Sequence, residues 1–162
     1  MPVVYLGLGS NLEPELNLRL AAQELRSRFS LQKMSAVYRS AALGFDGADF
    51  LNAVACIETT MTPLELHAEL EAIHDTAGRQ RGAARLVSRR LDIDLLLYDR
   101  LILDEPPLRI PRQDVVEYSF VLRPLAEIAP DYRHPVSGLT LQRHWAGYDA
   151  SCHPLTAVRL VL

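Results

Sequence analysis

A chain of 162 residues, about half of them hydrophobic and carrying a net charge of −3, is long enough for one domain with a buried core and has the balance of an ordinary soluble globular protein. Lys33 is the only lysine, which excludes a phosphate-loop lysine and argues against Schiff-base chemistry, and the mild acidity argues against a nucleic-acid binder. Cys56 and Cys152 fit neither a disulfide framework nor a paired-cysteine metal site, the N-terminal stretch has no basic leader, and no apolar run nears the ~20 residues of a membrane helix.

Residues 2–9, "PVVYLGLG", are rich in β-formers and run into the turn signal Gly9-Ser10-Asn11. Over 14–28 the apolar positions Leu16, Leu18, Leu20, Ala21 and Leu25 recur at helical spacing. A strand is expected at 31–39, then a loop holding Gly44, Asp46 and Gly47, then a strand at 50–60 in which Cys56 reads as a small buried hydrophobe. Thr62 as cap, Pro63 at the first helical position and Glu65 three residues after the cap open a second helix, which should run to about Ala77 before Gly78. After an arginine-rich stretch comes a strand at 91–98, a polar turn with "LILDEPP", a short helix at 119–130 and another at 138–146. The order β-α-β-β-α-β with a helical tail predicts an α+β, ferredoxin-like antiparallel sheet, with helices on one face and a single domain over 1–162.

Chemistry concentrates in "GRQRGAARLVSRRLDIDLLLYD". On a strand, Leu91, Ile93, Leu95 and Leu97 line one face, and Asp92, Asp94, Leu96 and Tyr98 the other. Two carboxylates roughly 6–7 Å apart on one face resist ionising together unless something positive joins them. Arg79, Arg81, Arg85, Arg89 and Arg90 just upstream have forked guanidiniums suited to phosphate oxygens. Carboxylates holding one or two Mg²⁺ ions, with arginines around a nucleoside triphosphate, would satisfy both clusters. A solvated edge strand beside a solvated loop is the competing explanation. Phe50 and Asn52 share a strand face, a ring beside an amide able to read a heterocycle edge, and Phe120 offers a second ring; taken alone, each aromatic is read first as a core residue. The histidines show no zinc-binding spacing, and no Ser/His/Asp set is apparent.

"YLGLGSNL", "YRSAALG", "FLNAV", "GRQR", "RRLDIDLLLYD" and "VLRPLAEIAPDYRHP", in this order and spacing, resemble the 6-hydroxymethyl-7,8-dihydropterin pyrophosphokinase family over about residues 2–137. The resemblance implies transfer of pyrophosphate from ATP to the pterin hydroxymethyl group, releasing AMP, in folate biosynthesis. It implies that Asp92 and Asp94 bind two Mg²⁺ ions and that Phe50 and Phe120 flank the pterin, with Asn52 bonding the ring and Leu43 in the loop that meets it. Arg79, Arg81, Arg85 and Arg89 match basic positions near the triphosphate, Arg79 and Arg89 counting with the aspartates as catalytic. The expected partners are small molecules, ATP and a reduced pterin, with neither nucleic acid nor membrane, and the expected state is a cytoplasmic monomer.

The sequence also departs from that family. Leu86-Val87-Ser88 stand between Arg85 and Arg89 where Trp-Gly-Pro is usual. Arg112 replaces a phosphate-contacting histidine but remains able to bind ATP phosphates. Tyr118 replaces an arginine, His74 a glutamate, and Ala41-Ala42 a Pro-Pro pair. A diverged paralogue that binds a pterin or nucleotide with little or altered transferase activity is the alternative. Single-stranded RNA binding by exposed sheet aromatics is disfavoured by the acidic charge and the lack of an RNP1-type motif.

Overall fold

A computed structural model describes residues 1–78 and 91–162. The arginines at 79, 81, 85, 89 and 90, and the Leu86-Val87-Ser88 departure, therefore lie outside the described residues.

In chain order the elements are β1 (Val3–Ser10), α1 (Pro14–Arg28), β2 (Ser30–Met34), β3 (Val37–Ser40), β4 (Phe50–Glu58), α2 (Pro63–Thr76), β5 (Asp92–Tyr98), β6 (Leu103–Glu105), β7 (Leu108–Ile110), α3 (Asp114–Glu117), α4 (Ser119–Ile128), α5 (Leu141–Ala146) and β8 (Thr156–Val158). The second helix starts as its sequence requires. The Glu65 backbone N–H donates to Thr62 Oγ1 at 3.3 Å, and the Thr62 N–H donates to Glu65 Oε2 at 2.8 Å. These reciprocal bonds satisfy two donors that the first turn leaves open.

All pairings in the main sheet are antiparallel, in the order β5-β1-β4-β3-β8, with β2 also lying against β4. The single strand expected at 31–39 is divided at Ser35-Ala36. There Ser35 bonds Val54 twice, its N–H donating to the Val54 carbonyl and its Oγ accepting from the Val54 N–H. A side chain thus replaces one rung of the ladder, and the strand resumes one step over.

Leu6 and Leu8 of β1, Ala53 and Ala55 of β4 and Ile93 and Leu95 of β5 form one apolar face, buried with Leu18 and Leu25 of α1 and Leu66 and Ile73 of α2. Val54 and Leu96 belong to a second buried cluster with Leu122 and Leu125 of α4 and Leu141 of α5. Helices therefore cover both faces, which corrects the expectation of helices on one. The strongly apolar α4 needs a partner surface of its own, and the reverse of the sheet supplies it. Beyond α5 the chain ends in a strand, since β8 pairs with β3 along Val37–Arg39.

A second correction concerns β5. Tyr5 pairs with Leu97 but Leu6 pairs with Leu95, so Leu96 is an extra residue in the ladder. A bulge of this kind reverses the alternation beyond it. Leu97 accordingly joins the α4 cluster, while Tyr98 packs toward α1 and α2. Upstream of the bulge the expected order holds: Asp92, Asp94 and Leu96 lie on the α4 side.

Candidate active site

The floor of the cleft is made by what β1 lacks. Its alternation sends Leu6 and Leu8 into the core and leaves Gly7 and Gly9 on the α4 face. In register, Gly9 lies between Asp92 of β5 and Asn52 of β4, and Gly7 lies between Asp94 and Val54. With strands roughly 4.8 Å apart, the Asp92 and Asn52 backbones are separated by about two spacings with no side chain between them. That gap opens into a cavity of about 150 Å³ whose lining includes Leu43, Phe50, Asn52, Asp92, Asp94 and Phe120. The fold thus gathers every proposed pterin and metal residue around one space.

Within it the polar groups are oriented. Asn52 is buried, and its Nδ2 donates to Ser40 Oγ at 2.9 Å and to the Tyr38 carbonyl at 3.3 Å. These bonds fix the amide so that Oδ1 lies over Gly9, 3.6 Å from where a Cβ would sit. Phe50 meets Phe45 edge-on, with centroids 6.2 Å apart. Phe120 is stacked on Tyr118 at 5.0 Å and 9°. Phe45, Tyr118 and Asp114 also line the cavity, and sequence reasoning gave them no place in it. The alternating glycines of "YLGLGS" were a readable signal of an open floor; nothing local marks Asp114.

A second cavity of about 230 Å³ lies on the other side of the carboxylate pair, lined by Glu71, His74, Asp92, Asp94, Arg109 and Arg112 among others. Asp92 and Asp94 belong to both spaces. His74 is buried. Its Nε2 accepts from the Ile93 backbone N–H at 2.7 Å, so Nδ1 carries the proton and donates to Glu71 Oε1 at 3.0 Å. Although Nε2 is 3.9 Å from Asp92 Oδ1, a nitrogen already accepting a proton cannot also carry one. The ring is a neutral brace for the residue between the two aspartates.

Arg112 stands beside the pair. Its Nη1 is 3.7 Å from Asp94 Oδ1, and its Nη2 is 3.3 Å from both Asp114 oxygens. Burial works to lower its pKa, yet the Asp94, Asp114 and Asp92 carboxylates together raise it above the usual guanidinium value. Among the described residues, no group of three or more His, Cys, Asp or Glu side chains forms a ready metal cage. Two hard carboxylates on an open face instead suit a cation that keeps some waters and takes its remaining ligands from phosphate.

This fold and cleft define an α+β protein with two chambers that meet at a pair of acids, as suits joining two small substrates. The model of the family described as 7,8-dihydro-6-hydroxymethylpterin-pyrophosphokinase (HPPK) matches residues 5–130. The chain belongs to that family. It is 41% identical over 136 residues to the 2-amino-4-hydroxy-6-hydroxymethyldihydropteridine pyrophosphokinase of Pseudomonas aeruginosa, covering 82% of this chain and 83% of that one. It is also 41% identical over 141 residues to the protein of the same name from Haemophilus influenzae, covering 85% and 88%. Among solved structures, the wild-type HPPK-DHPS of Plasmodium falciparum superposes with a TM-score of 0.71 at 14% identity, over 91% of this chain and 44% of that one. That likeness concerns the fold, and this chain spans less than half the length of that protein.

Proposed function

We propose that this protein transfers pyrophosphate from ATP to 6-hydroxymethyl-7,8-dihydropterin. The substrate hydroxyl oxygen bonds to the β-phosphorus, the bond from that phosphorus to the α–β bridging oxygen breaks, and AMP leaves. The observation that carries this is the position of Asp92 and Asp94, shared by an aromatic chamber and a chamber bearing arginine. The name of the Pseudomonas relative supports the substrate.

In this reading the pterin lies over Gly7 and Gly9, between the rings of Phe50 and Phe120. Asn52 Oδ1 accepts from a ring N–H, and Leu43 closes the loop side. Asp92 and Asp94 hold Mg²⁺, two ions in the full site. When bound, the metal supplies neutralisation of phosphate charge and acidification of the attacking hydroxyl. The protein's own task is positioning and charge compensation, which phosphoryl-type transfers chiefly require. His74 braces Ile93 so that the flanking carboxylates keep their aim. Arg112, with Arg79, Arg81, Arg85 and Arg89 carried over from the resemblance, meets the phosphates of ATP. The strand order, with β2 and β3 as one interrupted strand, supports a ferredoxin-like core, and 1–162 is taken as one pyrophosphokinase-like domain. We further propose a cytoplasmic location, and a monomer because residues of one chain line both chambers.

Incubation with ATP, Mg²⁺ and hydroxymethyldihydropterin should yield AMP in step with pterin consumption. Asp92→Ala and Asp94→Ala should each lower the rate by at least about a hundredfold, the scale of losing one electrostatic stabiliser in a transfer reaction. Absence of AMP from the wild type, or full activity in either variant, would overturn the proposal.

A further inference from the structure

We infer that Arg112 is a built-in competitor for the metal at Asp94: it neutralises that carboxylate until nucleotide arrives, then yields it and turns to the phosphates. The inference rests on Asp92 and Asp94 being metal ligands, and it adds an order of events to that site.

The geometry is asymmetric. Nη2 makes two contacts of 3.3 Å with Asp114, whereas Nη1 makes one of 3.7 Å with Asp94. The Asp114 side is the anchor and the Asp94 side the weaker hold. The backbone fixes the pivot, since the Arg112 N–H donates to the Leu96 carbonyl on the strand that bears the aspartates. Buried Nε has no hydrogen-bond partner among the described residues. A guanidinium with one unsatisfied buried donor and one long ion pair is poised to improve its contacts. Phosphate oxygens in the second chamber, which Arg112 lines, would supply acceptors for Nε and Nη1 while Nη2 stays on Asp114.

The charges lead to the same conclusion. Asp92, Asp94 and Asp114 all lie close enough to act electrostatically on the Arg112 guanidinium, so its positive charge stands beside the place a cation on Asp94 would take. A divalent cation binding Asp94 alone must displace the guanidinium and then face it at close range. A cation arriving with a polyphosphate brings the anion that receives the guanidinium. Nucleotide and metal are therefore coupled through Arg112, and by linkage each strengthens the other's binding by the same factor. A neutral imidazole at this position would carry no such charge to displace.

The test uses Mn²⁺, whose free aquo ion is counted by electron paramagnetic resonance, with the full-length chain and α,β-methylene-ATP as the inert nucleotide. Without nucleotide, Arg112→Gln should bind Mn²⁺ about three- to tenfold more tightly than wild type, the span of a partly exposed ion pair. Arg112→Lys keeps the charge and should remain close to wild type. Asp114→Asn removes the anchor, drives the guanidinium onto Asp94 and should weaken Mn²⁺ binding; general loosening of the fold would weaken it in both variants, so the gain in Arg112→Gln is the discriminating result. With the inert nucleotide present, the gain in Mn²⁺ affinity should be smaller in Arg112→Gln than in wild type. Unchanged or weaker Mn²⁺ binding by Arg112→Gln without nucleotide, with Mn²⁺ still bound by the wild-type complex, overturns this inference alone. A wild type that takes no Mn²⁺ beyond what the nucleotide alone sequesters overturns the metal site itself.

Discussion

At Asn52, one amide serves two ends. Its Nδ2 ties β3 to β4 through Ser40 Oγ and the Tyr38 carbonyl, and its Oδ1 is presented over a glycine. Truncation would therefore cost stability and recognition together. Asn52→Ala should destabilise the fold by about 1–3 kcal/mol, because two buried acceptors lose a donor, and should raise the KM for the pterin far more than it lowers kcat. Denaturant melts and steady-state kinetics on the same preparation would check both. A change confined to stability would remove Asn52 from substrate recognition. Phe50 and Asn52 were recognisable from their two-residue spacing, which follows from strand geometry alone. The brace from His74 to the Ile93 N–H was not, since it joins a helix to a strand across 19 positions, and no periodicity encodes a contact of that kind.

Among the elements, β1 shows why a strand can be legible while its use is not. "VVYLGLGS" reads as a strand from its β-formers, and the alternation that buries Leu6 and Leu8 also strips the opposite face. Only the register, with Gly9 between Asp92 and Asn52, turns that bare stripe into a cavity floor. At Gly9 a Cβ would meet Asn52 Oδ1 at 3.6 Å and Phe50 at 3.9 Å, ordinary contacts. Gly9→Val should thus fold with a stability change of at most about 1 kcal/mol, yet fill the floor with two methyl groups and weaken pterin binding by at least about tenfold. Calorimetry with the pterin alone would measure this, and undiminished affinity would place the ligand elsewhere. The long helices were predictable because caps and 3.6-residue spacing are local. The β6–β7 hairpin, α3 and β8 were missed because three- or four-residue elements are held by their partners rather than by propensity. The bulge at Leu96 was hidden for the same reason: a continuous apolar run does not mark where its alternation slips.

The whole molecule is a sheet covered on both faces, and the second cover depends on the turn that joins α4 to α5. His134 sits in that turn, buried, and its Nδ1 accepts from the backbone N–H groups of Val136 and Ser137, each at 3.2 Å. His144 lies beside it with ring centroids 5.6 Å apart, and its Nε2 is 2.6 Å from Ser137 Oγ. Burial lowers the pKa of both rings, and for His134 the neighbouring His144 lowers it further. A histidine whose folded pKa is depressed binds its proton more readily in the unfolded chain. Its contribution to stability is therefore complete above the unfolded value of about 6.5 and drains away as pH falls below it. Protonating His134 at Nδ1 would also cost both N–H bonds that shape the turn. The melting temperature should accordingly fall as pH drops below about 6.5, before the ordinary carboxylate range is reached. His134→Asn keeps a short side-chain acceptor for the same two N–H groups, in the manner of an Asx turn, and has no proton to gain. Its melting temperature should be flatter with pH over that window, and flatter still when combined with His144→Gln. Parallel pH profiles for the variants and the wild type would show that acid sensitivity arises elsewhere. A flattened profile would place the molecule's response to mild acid at the α4–α5 turn rather than at the carboxylate pair.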